Sequence, residues 1–270
     1  MPLARFPGAP LSAFVSVLWY VDGWKPSHAR ERRLPDGSVD LVITLQHDRI
    51  RLAKRGSLHD TATFDAATVT GPHSQSFVID TSEPDTLIGA HFTPGGAAAL
   101  MDMPVSETRN AHVPLLDVCG RVAKPLREEL LETSAGEARL DVLEHWLLQH
   151  LLRRHERDPA VTWAVRQFQR CPQVRVTDVT SRIGRSSRWF IERFATEVGL
   201  TPKVFSRVQR FQSVLRRVNG APVGLADLAA SCGYFDQAHF AHDFREFAGI
   251  TPSTYLADRT EFQNHVAISE

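Results

Sequence analysis

Two short runs of long polar side chains occupy equivalent places in this 270-residue chain. One is Ser186-Ser187-Arg188-Trp189 with Glu192; the other is Asp236-Gln237 with His239 and His242. Arginine donates two hydrogen bonds to a guanine edge, glutamine pairs bidentately with adenine, and histidine donates to guanine or phosphate. That is the chemistry of reading a base edge, not of breaking a bond. The residue types that would support bond-making are present but not arranged for it. Of the twelve histidines, His28, His47, His59, His73 and His91 fall in the β-rich part, with no H-x-H pair to aim two imidazoles at one metal. Cys119, Cys171 and Cys232 form no C-x-x-C pair and sit in no motif with a nearby base, so a reduced compartment and no thiol catalysis are expected. Gly95-Gly96 lacks the lysine of a P-loop and the second half of a dinucleotide fingerprint. No cofactor, metal site or enzymatic activity is expected.

The two polar runs lie inside an internal repeat. Phe190-x3-Phe194-x4-Gly199-x-Thr201-Pro202-x2-Phe205 recurs 50 residues later as Phe240-x3-Phe244-x4-Gly249-x-Thr251-Pro252-x2-Tyr255. Phenylalanines four apart share one helix face. The glycine suits a left-handed helix stop, and Thr-Pro restarts a helix with an N-cap and a proline at its first position. A short helical segment precedes each copy, Thr177 to Gly184 and Ala226 to Gly233, so the same supersecondary unit is expected twice. Val204, Val208, Phe211, Leu215 and Val218 form the apolar stripe of a helix joining the units, broken at Asn219-Gly220-Ala221-Pro222. Two helix-turn-helix units would present Ser186, Ser187, Arg188, Trp189 and Glu192, then Gln237, His239 and His242, to two major grooves. Arg193, Arg207, Arg210 and Arg245 would neutralise phosphates. Asp236 is expected as an N-cap, and Arg188 and Gln237 as the strongest base readers.

Charge agrees with this division. Net charge is zero, yet residues 160–260 hold 14 Lys and Arg against 8 Asp and Glu. A basic C-terminal third beside an acidic remainder is the footprint of a nucleic-acid reader with a separate partner domain. No stretch reaches the roughly 18 apolar residues of a membrane span. The apolar run Leu11 to Val21 lacks a small-residue cleavage site and is expected as a core element, with Leu11, Phe14, Val15 and Leu18 at helical spacing.

Residues 1–105 read mostly as strands. Val39, Leu41, Ile43 and Leu45 alternate after the turn Pro35-Asp36-Gly37, and further strands are expected at Ala67–Thr70, Ser76–Asp80 and Thr86–Phe92. Pro94-Gly95-Gly96 opens an alanine-rich helix, Ala97 to Met101, and a helical region follows from Leu115 to about Arg154. Its stripe Leu140, Leu143, Trp146, Leu147 and Leu151 fits a buried face within the domain or a dimer seam. The fold expected is α+β. A β-rich, barrel-like (cupin-like) domain spans 1–105, a helical linker or dimerisation region spans 106–159, and an all-α DNA-binding domain with two helix-turn-helix units spans 160–260.

The segment Asp227–Pro252, D-L-A-A-S-C-G-Y-F-D-Q-A-H-F-A-H-D-F-R-E-F-A-G-I-T-P, resembles the second helix-turn-helix of the arabinose-regulator (AraC/XylS) family of bacterial transcription factors. The resemblance covers about residues 160–260; it departs at Cys232, often alanine in the family, and at His242, where arginine is frequent. The first part is similar to a regulatory domain that accompanies this module, on Leu34-Pro-Asp-Gly-Ser-Val-Asp-Leu41, Gly71-Pro72 and Gly89–Leu100. The resemblance implies a cytoplasmic transcriptional regulator that binds double-stranded promoter or operator DNA. A small-molecule effector, a homodimer and RNA polymerase are the further candidate partners. Trp19, Arg33, Asp36, Asp40 and His91 are candidate effector-binding residues, beside predicted strands. The competing reading is a ligand-binding or enzymatic cupin-like protein whose helical tail is a protein-interaction module. Polar recognition faces separate the two, because a protein interface favours apolar residues.

Overall fold

The computed structural model describes residues 2–53, 61–151, 157–220 and 229–268. The first part carries strands β1 (Leu3–Arg5), β2 (Val15–Trp24), β3 (Arg30–Arg33), β4 (Asp40–Thr44), β5 (Arg49–Ala53), β6 (Thr61–Asp65), β7 (Ala67–Thr70), β8 (Phe77–Asp80), β9 (Asp85–Phe92) and β10 (His112–Pro114). Helices α1 (Leu115–Cys119), α2 (Lys124–Glu132) and α3 (Gly136–Leu151) follow. A six-stranded antiparallel sheet runs β1-β2-β9-β4-β7-β10, and a five-stranded sheet begins with a C-terminal strand and continues β3-β8-β5-β6.

The alternation in β4 sets the first core. Leu41 and Ile43 are fully buried while Asp40 and Val42 face the other way. Register places Leu18, Ala90, Leu41 and Val69 in one row across four strands, all buried. Burying each such aliphatic side chain is worth about 1.5–3 kcal/mol. The stripe of α3, Leu140, Leu143, Trp146, Leu147 and Leu151, belongs to this same cluster, so it is covered within the chain and does not form a free dimer seam. Trp146 also donates its indole N–H to the Val122 carbonyl at 3.1 Å.

The second part holds α4 (Pro159–Arg170), α5 (Val176–Ile183), α6 (Ser187–Val198), α7 (Pro202–Gly220), α8 (Gln237–Ala248) and α9 (Pro252–Asp258), with residues 229–231 helical as well. The repeat folds as its spacing requires. Ser186 and Asp236 cap α6 and α8, accepting from Trp189 N and His239 N. Gly199 and Gly249 stop those helices at φ +83° and +69°. Phe190, Phe194, Phe240 and Phe244 are buried. The long helix α7 serves both units: its Phe205 ring lies 5.5 Å from Phe194 and its Phe211 ring 5.2 Å from Phe244. The expected helix over Ala226–Gly233 and the break at Ala221-Pro222 fall largely outside the described residues.

Three local expectations change and one is refined. Leu11–Ala13 forms only a 3-10 turn, because Val15 onward is recruited as strand β2 against β9. The alanine-rich helix is a 3-10 turn, Gly96–Ala99. The helical region expected from Leu115 resolves into three helices, α1, α2 and α3. The C-terminal part is not all helical: His265–Ala267 forms β11, which pairs with β3, so the tail of the helical half completes a sheet of the β-rich half. Among the described residues, no helix is long and apolar enough to cross a membrane.

Candidate nucleic-acid interface

The first turn of α6 and the first turn of α8 both face solvent. Ser186, Ser187 and Arg188 are exposed, and Arg188 donates from Nε to Glu192 Oε1 at 2.9 Å on the open face. Trp189 is half-buried against the helical core with the Arg185 guanidinium over its ring, 5.5 Å from the centroid. In α8, Gln237, Ala238, His242 and Arg245 are exposed. His239 is only part-buried. Its ring meets Tyr234 edge-on at 5.3 Å, and Nε2 lies 3.8 Å from Asp243.

Three of the four arginines expected on phosphates are engaged inside the protein. Arg207 donates to Asp243 Oδ1 at 2.7 Å and to both Glu246 oxygens, and its guanidinium lies 5.0 Å above the Phe247 ring. Asp243 is buried, so this pair fastens α7 to α8. Arg193 is held by Asp158 at 3.3 Å and Glu197 at 2.8 Å, which ties α6 to the start of α4. Arg210 stacks over the Tyr234 ring at 5.5 Å. Only Arg245 of that set stands free of the internal contacts described and exposed. The reason is that the other three find partners on other elements, Asp158 before α4 for Arg193, Asp243 and Glu246 on α8 for Arg207, and Tyr234 for Arg210, which spacing along one helix does not reveal.

The candidate effector residues divide. Arg33, Asp36, Asp40 and His91 meet in one cluster: Arg33 pairs with Asp36 at 2.9 Å and Asp40 at 3.6 Å, and His91 with Asp40 at 2.5 Å and Asp36 at 3.7 Å. Trp19 lies apart, its ring against Gly89 on the neighbouring strand. Burial disfavours charge on His91, but Asp40 and then Asp36 outweigh it and push its pKa up to about 9. Burial likewise opposes charge on Asp40, and His91 with Arg33 overcomes it, holding Asp40 at about 2. The cluster braces the turn Pro35-Asp36-Gly37, which docks on α7. Gln209 donates to the Asp36 carbonyl and Gln212 to the Pro35 carbonyl, each at 2.8 Å, and Leu34 N donates to the Asn264 carbonyl at 2.8 Å. Gly37 has φ +82°, and a Cβ there would lie 2.9 Å from the Phe205 ring. On the other side of His91, a cleft of about 320 Å³ opens between the β-rich part and α4. Ser16, Ser38, His91 and Thr93 line one wall, Arg157, Arg166 and Gln169 the other. The cleft was not legible in the sequence, because its walls come from separate segments around Ser16, Ser38, His91 and Arg166.

These shifts predict a pH profile. The raised pKa of His91 adds stability that is complete below its ordinary 6.5 and is lost as pH climbs through about 9. Burial beside Phe64 and Phe77 pushes His112 down to about 4, so stability falls as pH drops from 6.5 through 4. Urea unfolding should therefore show maximal stability near pH 6.5. His91→Gln should flatten the alkaline limb and His112→Phe the acid limb; unchanged limbs in both variants would refute the assignment.

Residues 4–114 match a family described as a domain of unknown function (DUF6597), and residues 179–258 match a helix-turn-helix domain family. No match is found among curated proteins. Among solved structures, ToxT from Vibrio cholerae is similar at 8% identity, covering 95% of this chain and 98% of that one, with a TM-score of 0.48. An unsaturated fatty acid-bound form of wild-type ToxT from Vibrio cholerae strain SCE256 is similar at 11% identity, covering 94% of each chain, with a TM-score of 0.45.

Proposed function

We propose that residues 179–258, which match a helix-turn-helix domain family, are the AraC-type reading head of a DNA-binding regulator, and that they read their target as follows. Helices α6 and α8 enter two successive major grooves about 34 Å apart on one DNA face. Arg188 and Gln237 read bases. Ser186, Ser187, His242 and Arg245 contact the backbone or neighbouring edges, and Glu192 orients Arg188. The observation that carries this reading is the pair of exposed polar helix starts, Arg188 on α6 and Gln237 on α8, mounted on one shared helix through Phe205 and Phe211. A protein-interaction module would place apolar anchors at both of these positions.

Selection from random duplex DNA tests it. Arg188→Ala or Gln237→Ala should cost about 1–3 kcal/mol on the selected site and much less on random DNA. Equal losses on both DNAs would reduce either residue to a phosphate contact, and no enriched site would refute the reading.

The β-rich part supplies control. The cleft beside His91 carries Arg157 and Arg166 on one wall, so it suits a small acidic effector. Arg157 also donates to the Ala13 carbonyl at 2.7 Å and to the Pro94 carbonyl, so a ligand there would touch the joint between the two parts. A thermal-shift screen of small carboxylic acids that stabilises nothing would defeat this effector reading. A cytoplasmic location, a homodimer and contact with RNA polymerase belong to the same proposal.

A further inference from the structure

Phe235 is 93% exposed, the highest value among the exposed large hydrophobic side chains described. It sits directly before Asp236, the N-cap of α8, while its neighbour Tyr234 is buried beneath the helix. Superposing the repeat on Phe190 and Phe240 aligns Phe235 with Arg185 and Ala238 with Arg188. The first unit thus presents two guanidinium groups at the places where the second presents a phenyl ring and a methyl. All four side chains are exposed.

A phenyl ring makes no useful contact with phosphate and forms no hydrogen bond with a base edge. The one apolar feature of the major groove is the C5-methyl of thymine. The inference rests on α8 entering the groove, and deepens that reading. We propose that Phe235, with Ala238, reads thymine methyl groups beside the base contacted by Gln237. The target is then chemically asymmetric. The element under α6 carries guanines facing Arg185 and Arg188; the element under α8 carries thymines facing Phe235 and an adenine facing Gln237. Phe235 is a specificity residue that the spacing of polar residues passed over.

The test uses the full-length protein and its selected site, with each thymine of both elements replaced in turn by deoxyuridine, which lacks only the methyl. At one or two positions in the α8 element the wild-type protein should lose about fourfold in affinity, the weight of one buried methyl-sized group. Phe235→Ala should lose a similar factor on the thymine site and nothing further on the deoxyuridine site. Deoxyuridine in the α6 element should have no effect. If no deoxyuridine weakens binding in the α8 element while Arg188→Ala and Gln237→Ala keep their site-specific losses, the methyl contact is wrong and the DNA reading stands. If Phe235→Ala binds as wild type yet loses transcriptional activity in cells, the ring serves a protein partner and the proposal is overturned. Failure to select any site removes the DNA reading itself.

Discussion

Arg207→Ala is expected to destabilise the folded protein by about 3 kcal/mol, the largest single-residue effect foreseen on the helical half. The cause is the residue left behind. Asp243 is 2% exposed, and its Oδ1 receives a 2.7 Å hydrogen bond from Arg207. Removing the guanidinium strands a buried carboxylate between α7 and α8, and also removes the contact over Phe247. Arg207 itself is partly exposed, which keeps the figure at the lower end of the usual range for a broken buried pair. Urea unfolding measures it. Adding Asp243→Asn to Arg207→Ala should recover part of the loss, because the stranded group is then neutral. Wild-type stability in Arg207→Ala, with a weaker salt dependence of DNA binding, would instead restore Arg207 to a phosphate.

The second large effect is on binding. Between about 50 and 200 mM salt, affinity for the selected site should fall roughly 10³-fold, as for a protein that neutralises about six phosphates. With Arg193, Arg207 and Arg210 held in internal contacts, the exposed basic side chains in and next to α6 and α8 include Arg182, Arg185, Arg188, Lys203 and Arg245, with the imidazole of His242 beside them. A filter-binding or fluorescence titration series gives the slope directly. A slope near zero would mean that neither helix lies against a phosphate backbone.

These expectations mark where one-dimensional reading works in this chain. The repeated phenylalanines, the glycine stops and the threonine and aspartate caps all appear as expected, because each rule acts within one helical turn. Strand β4 was legible for the same reason, since its alternation is set by one buried face. Strand β11 was not: three residues are too few to show a period, and its partner β3 lies more than 230 residues earlier. The roles of the arginines were equally hidden. Arg207 and Asp243 are 36 residues apart, so nothing local distinguishes Arg207 from the exposed Arg245. Of the five candidate effector residues, four converge and Trp19 does not, because the sequence marks polar groups near strands without marking which strands are neighbours.

The joint at Pro35–Gly37 bears on how such proteins can be recombined. A chimaera that grafts a foreign DNA-binding half onto this β-rich half, spliced near residue 159, would bring different side chains to the positions of Gln209, Gln212 and Asn264. The carbonyls of Pro35 and Asp36 would lose their donors, at roughly 1–3 kcal/mol for each group left buried and unsatisfied. Strand β3 would become an open sheet edge unless the graft also supplied a tail like His265–Ala267. The two halves are therefore not interchangeable cassettes. The residues of the seam, divided between both, form an inherited compatibility lock that a successful swap must carry across whole.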